Sequence, residues 1–157
     1  DNAIVQANGM VVFMELARDG ATHAFPSDTW NQGLQAIVGG MQQHHLTSVD
    51  VAANGLGALA ELAKDAAARA TIAGDAGLRL VREVMKARTS DCDVQANGIE
   101  LLFVLSQEAD FASRLARDGW EQMIRTAMKA HVEDDDIQQN GREALSNMSS
   151  PFECHFV

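Results

Sequence analysis

The sequence predicts an all-α fold built as a solenoid of repeated helices, and three observations carry that expectation. A five-residue phrase is stated four times: Val5-Gln6-Ala7-Asn8-Gly9, Val51-Ala52-Ala53-Asn54-Gly55, Val94-Gln95-Ala96-Asn97-Gly98 and Ile137-Gln138-Gln139-Asn140-Gly141. The asparagines stand at 8, 54, 97 and 140, so successive copies lie 46, 43 and 43 residues apart. A fixed period of this size belongs to arrays in which each unit buries its apolar face only against its neighbours. Second, each copy opens the same apolar pattern. Counted from its Val or Ile as zero, small or apolar residues recur at +4, +7, +8 and +11, as in Gly98, Leu101, Leu102 and Leu105. That spacing paints one stripe on an α-helix. Third, Met85-Lys86-Ala87 returns as Met128-Lys129-Ala130 after the same 43 residues, so the whole unit repeats.

The elements follow in order. Residues 1 to 17 form the first helix of the phrase. Gly20, Pro26 and Ser27 then break any long periodicity, and Ser27 or Asp28 is placed to cap a second helix that carries Leu34, Ile37, Val38 and Met41 and ends near His44-His45. Ser48-Val49-Asp50 caps the second copy of the phrase, which runs to about Lys64. A short helix, Asp65 to Ala73, is broken at Gly74, and the next carries Leu78, Val81 and Met85. The polar run Arg88 to Asp91 turns the chain, and Asp93 opens the third copy. A further short helix from about Glu108 to Ala116 stops at Asp118-Gly119, and a helix with Trp120, Met123, Ile124, Ala127 and Met128 follows. The last copy starts near Asp136 and fades at Ser149-Ser150-Pro151. The expected organisation is one array over 1–157: a leading phrase helix (1–17), repeats at about 18–64, 65–107 and 108–150, and a tail at 151–157. Opening inside a repeat, the chain reads as a fragment of something longer.

Charge and cysteine usage bound the function. A net charge of −10 argues against non-specific nucleic-acid binding, which needs Lys and Arg to displace counterions from phosphate. It argues equally against anionic membrane surfaces and leaves basic partners open. Two cysteines, Cys92 and Cys154, make no secreted disulfide framework, so an intracellular, reducing compartment is expected. No apolar run approaches the length of a membrane span.

Three helices per unit at this period resemble the armadillo repeat. The third helix carries the match: the family favours a phrase like E-V-Q-x-N-A-x-x-A-L-x-N-L, and Asp136-Ile137-Gln138-Gln139-Asn140-Gly141-Arg142-Glu143-Ala144-Leu145-Ser146-Asn147-Met148 is similar to it. The resemblance covers nearly the whole chain. It implies a right-handed superhelix whose third helices line a concave groove that grips extended peptides or partner proteins. No convergent pocket of base and nucleophile can be assembled from these positions, so no enzyme and no cofactor is expected. Importin-α-type members hold their peptides with Trp at +6 and Asn at +10. Here +6 reads Val11, Gly57, Glu100 and Glu143, and +10 reads Glu15, Glu61, Val104 and Asn147. The aromatic slots of classical nuclear-import cargo binding are therefore not expected.

Positions +3 and +10 lie two turns apart on one helix face, with +6 beside them. If that face lines the groove, it displays Asn8, Asn54, Asn97, Asn140 and Asn147 with Glu15, Glu61, Glu100 and Glu143. Asparagine can donate to and accept from a peptide backbone, and glutamate favours Lys and Arg on the ligand. The competing reading is that the +3 asparagine bonds to a neighbouring unit. Asp134-Asp135-Asp136 lacks the spacing and glycine of an EF-hand, and with Asp50 and Asp93 it reads as helix capping. His44-His45 and Cys154-His155 have metal-ligand residue types without metal-ligand spacing. Cys92, between Asp91 and Asp93, is expected to be a sluggish thiol. Trp120 reads as an anchor between units.

Two expectations concern packing. The leading helix presents Val5, Val12, Phe13 and Leu16 without a preceding pair of helices, so self-association through the ends is expected. The glycine at +4 in every copy suggests close approach of a neighbouring backbone. At such a site Ala is tolerated or stabilising, whereas Leu is not.

Overall fold

The computed structural model describes residues 2–19 and 27–149. Segment 20–26, the tail with Cys154-His155 and the expected capping side chains at Ser27 and Asp28 lie outside the described residues. Everything described is helix or short turn, so the protein is all-α: α1 (Ala3–Arg18), α2 (Ser27–His44), α3 (Val49–Leu62), α4 (Ala66–Ile72), α5 (Asp75–Ala87), α6 (Cys92–Ser106), α7 (Ala109–Arg117), α8 (Trp120–Ala130) and α9 (Asp135–Ser149).

Each phrase becomes one helix, started by the same device. The side chain of the residue three before the Val or Ile accepts a bond from a first-turn amide, and at Asn2, Ser48 and Asp91 the backbone is extended. Asn2 accepts from Ile4 N, Ser48 from Val51 N, Asp91 from Val94 N and Asp134 from Ile137 N, at 3.0, 3.3, 3.0 and 2.8 Å. These bonds satisfy amides that no helical carbonyl can reach. Asp50, Asp93 and Asp136 are not the caps. They stand inside the first turn, where their charge meets the positive end of the helix dipole.

The glutamine of the phrase closes the helix before it. Gln95 Nε2 donates to the carbonyls of Met85 and Arg88, at 2.9 and 3.0 Å. Gln138 repeats this on Met128 and His131, at 2.8 and 3.1 Å. Both thus serve the carbonyls left over at the ends of α5 and α8. In the second copy Ala52 holds that position and has nothing to donate. There the His45 ring lies 2.8 Å from Met41 O through Nδ1, serving the end of α2 from the turn.

The phrase helices pack in series, α1 on α3, α3 on α6 and α6 on α9, and the intervening helices pack against them. The stripe expected to be buried is buried on α3, α6 and α9, whereas on α1 Gly9 and Val12 are exposed and Phe13 and Leu16 half-buried. Val94, Leu101, Leu102 and Leu105 of α6 are fully enclosed, as are Val51, Ala58 and Leu59 of α3. Each large aliphatic side chain of this kind contributes roughly 1.5–3 kcal/mol by leaving water. Trp120 is buried at the start of α8, directly after Gly119, whose φ of +77° needs a residue without Cβ. The Arg82 guanidinium lies 4.2 Å from the Trp120 ring centroid, which ties α5 to α8.

The +4 glycines differ from expectation in what approaches them: a methionine side chain, not a backbone. A Cβ built on Gly98 would lie 2.7 Å from Met85 Sδ and 2.9 Å from its Cγ and Cε. On Gly141 it would lie 2.7 Å from Met128 Sδ, and on Gly55 2.5 Å from Met41 Sδ. Each notch seats the methionine of the preceding helix. Gly9 has nothing within 4 Å.

Candidate binding face on the stacked phrase helices

Residues at +3, +6 and +10 of the phrase lie off the stripe in the helical repeat, and on α1 and α3 Arg18 and Lys64 at +13 join them. On α1 and α3 this face is a chain of alternating charge. Arg18 Nη1 lies 3.0 Å from Glu15 Oε1 and its Nε 3.5 Å from Glu61 Oε1, while Glu61 Oε2 lies 2.6 Å from Lys64 Nζ. Glu61 is only 7% exposed. Its carboxylate is thus held between two cations rather than presented freely. Glu15, Arg18 and Lys64 stand out in solvent, where such pairs contribute little stability.

Across α6 and α9 the face changes character. Glu100 is half-buried, and burial holds its carboxyl above the usual carboxylate range. Lys64 pulls it back, Glu61 pushes it up, Arg18 opposes and Asp136 adds to the rise. Removing solvent costs the charged form more than the nearby lysine returns. Glu143 is exposed, with Gln139 Nε2 donating to it at 3.2 Å. Asn147 Nδ2 donates to Ser106 Oγ at 3.1 Å, and that hydroxyl donates to Phe103 O at 2.7 Å.

The asparagines of the phrase do two things. Asn54 Nδ2 reaches back to Ala7 O at 3.4 Å, and Asn97 Nδ2 to Ala53 O at 2.8 Å. In both, the acceptor is the residue two after the Val of the preceding copy. The amide donor of these half-buried side chains is therefore engaged in joining neighbouring helices. Gly57 makes room for this, since a Cβ there would lie 3.3 Å from Asn97 Nδ2. Asn140 is half-buried at the same place on α9, and Asn8 is exposed on α1. Of the nine residues expected on one face, the structure puts Glu15, Glu61, Glu100 and Glu143 along the four stacked helices and leaves Asn8 open beside them. It joins Asn54, Asn97 and Asn147 to the adjoining helix.

Sequence reasoning missed a second set of contacts, made by basic residues in turns and in the short helices α4 and α7. Arg88 Nη2 donates to His45 O at 3.2 Å and Leu46 O at 2.7 Å, and the His131 ring lies 2.9 Å from Thr89 O through Nε2. Arg69 donates to Ala63 O and Lys64 O, at 2.6 and 2.9 Å, and pairs with Glu108. Arg114 donates to Ala73 O at 2.6 Å and pairs with Asp75. The signal was present as basic residues recurring near helix ends; Arg69 finds its carbonyls close by in sequence, but the acceptors of Arg88, His131 and Arg114 lie about one repeat away.

Cys92 is exposed, and its thiol donates to Asp134 Oδ2 at 3.0 Å. That bond is the largest cause of a pKa raised to about 11, with desolvation and the charges of Asp134, Asp93 and Asp91 adding to it. The flanking acids read from the sequence are thus the smaller part. Asp134 in turn is held below the usual range, first by the Ile137 amide and then by the Cys92 thiol. Among the described residues no group of three His, Cys, Asp or Glu side chains could hold a metal ion, and no helix is long and apolar enough to cross a membrane. Comparisons of this chain with protein-family models, with curated proteins and with solved structures found no match.

Proposed function

We propose that the chain is a non-enzymatic binding scaffold: an armadillo-type, right-handed superhelical solenoid holding an extended peptide or partner protein along the face of α1, α3, α6 and α9. The observation that supports this reading most is the acidic row across the four stacked phrase helices, Glu15, Glu61, Glu100 and Glu143, with Glu100 half-buried and held above its usual range by burial. A carboxylate desolvated before any ligand arrives gains more from a Lys or Arg side chain than a solvated one does. The partner is therefore basic, and neither nucleic acid nor an anionic membrane surface suits a face of this sign.

The test is binding of labelled Lys- and Arg-rich peptides at low and moderate salt, against the parent and against Glu100→Gln with Glu143→Gln. Saturable binding that weakens in the double variant and with salt supports the groove. Equal binding by the parent and the variant refutes it.

One set of observations favours a second reading, a segment that stacks on further repeats while partners bind elsewhere. Asn54 and Asn97 are engaged between helices, Glu61 is neutralised internally, and α1 exposes apolar side chains. In that case acidic, neutral and basic peptides bind the face equally poorly.

A further inference from the structure

Two grooves of the same size, about 290 Å³ each, lie at equivalent places between successive repeats, one between α2 and α5 and the other between α5 and α8. The notch methionines fix the equivalence. Val38 and Gln42 stand three before and one after Met41, just as Arg82 and Lys86 stand three before and one after Met85. All four of these flanking residues line their groove. Leu80 in the first groove and Met123 in the second likewise hold one place a 43-residue period apart. The two differ in charge. No charged residue lines the first groove. The second is lined by two cations and no acid, in a chain that carries 22 Asp and Glu against 12 Lys and Arg.

The second groove joins an apolar floor to that positive rim. Met85 and Ala127 are buried, and Met123 is half-buried against the core. Arg82 is already held in place: its Nη2 donates to Asp118 O at 2.9 Å and its guanidinium lies over the Trp120 ring. A cation so fixed has little side-chain freedom left to lose when a ligand arrives. Lys86 is exposed and makes no ion pair among the described residues. Both walls belong to repeats within the chain, so the groove is complete without anything added at either end.

We propose that the groove between α5 and α8 binds a small organic anion with an apolar body, a carboxylate on a chain of about eight carbons. The carboxylate lies at Arg82 and Lys86, and the chain runs over Met85, Met123 and Ala127. Small-molecule sites combine a mostly apolar concavity with a few placed polar groups, and here the two cations supply the sign. None of the acidic row on the phrase helices lines this groove, so the two sites are independent.

The experiment titrates octanoate into the whole chain and follows backbone amide shifts by NMR. Amides of α8 should move and saturate with a Kd of about 1 mM or below, while those of α2, beside the uncharged groove, stay in place. Octan-1-ol, which keeps the chain, and acetate, which keeps the charge, should each bind about tenfold more weakly or worse. Lys86→Glu reverses an exposed charge, so circular dichroism and melting should match the parent while octanoate affinity falls about tenfold or more. Glu100→Gln with Glu143→Gln should leave octanoate binding unchanged, which separates this site from the acidic face. No saturation below about 10 mM octanoate overturns the proposal. Equal affinity for octan-1-ol, equal affinity in Lys86→Glu, or equal shifts in α2 would do the same, because the cations would then not select the ligand.

Discussion

Replacing glycine by alanine at the same position of two phrase helices should shift stability in opposite directions. In a helix interior the exchange gains about 1 kcal/mol of propensity when nothing obstructs the new methyl group. At Gly9 nothing lies within 4 Å, so Gly9→Ala should keep that gain, up to about 1 kcal/mol. At Gly98 the methyl group would sit 2.7 to 2.9 Å from three atoms of Met85, a residue only 1% exposed. Carbon and sulfur atoms need several tenths of an ångström more, and because the clash includes Cγ as well as the Sδ and Cε end, the whole Met85 side chain must shift. Overpacking of this kind costs about 1–3 kcal/mol, so, contrary to the expectation from sequence that alanine is tolerated or stabilising at this position, Gly98→Ala should be destabilising by up to about 2 kcal/mol after the propensity gain is credited. Gly98→Leu should lose about 3 kcal/mol or more. Met85→Ala alone should cost about 2–5 kcal/mol, and in that background Gly98→Ala should turn stabilising, the mark of direct coupling. Urea melts followed by circular dichroism measure the Gly98 series. Amide exchange within α1 reads the Gly9 effect, since an end helix opens locally before the rest unfolds. If Gly98→Ala raises stability as much as Gly9→Ala does, the methionine yields without cost and the notch argument fails.

Other outcomes follow from the polar contacts. Asp134→Asn removes the largest cause of the raised Cys92 pKa, so iodoacetamide labelling at pH 8 should speed up roughly tenfold or more; an unchanged rate would assign the shift to desolvation instead. Glu100 has a folded pKa raised above its ordinary 4.5, so its ionisation opposes folding, with no effect at pH values below that ordinary value and a growing one as pH rises through the folded pKa. Glu100→Gln should therefore be more stable than the parent at pH 7 and indistinguishable at pH 4, and melts at the two pH values check it. Asn97→Ala should cost about 1 kcal/mol by leaving Ala53 O without its donor, and a melt identical to the parent's would mean the bond contributes nothing net.

Much of the helix plan was legible because its signals are local. The stripe at +4, +7, +8 and +11 needs only the 3.6-residue period, and the breaks at Gly74 and Gly119 need only turn chemistry. Caps were legible by kind and less so by position: Ser48 and Asp134 lay within the capping runs read from the sequence, Asp91 was read as turn, and Asp50, Asp93 and Asp136, which draw attention by charge, stand inside the first turn. What escaped the sequence depends on partners about one repeat away. Nothing near Gly98 says that Met85 will fill its notch, and nothing near Asn97 names Ala53 O as its acceptor. The candidate face is a similar case: its nine residues could be listed from spacing, but the engagement of Glu61 by Arg18 depends on how α1 stacks on α3.

The links between successive repeats fall into two kinds, with different tolerance of rearrangement. Asn54, Asn97, Arg88, His131 and Arg114 each contact a main-chain oxygen of the preceding repeat, at Ala7, Ala53, His45, Thr89 and Ala73. A main-chain oxygen is offered by any residue, so a repeat carrying these donors can follow any other repeat of the same shape. Duplication, loss or exchange of a whole 43-residue block would then leave the joints intact without matching changes on the other side. The pairs of Arg69 with Glu108 and Arg114 with Asp75 are written in side chains and would need to travel together. These pairs involve exposed carboxylates, where little stability is at stake. The protein is thus jointed so that its length can change in whole repeats more readily than its pattern can change within one.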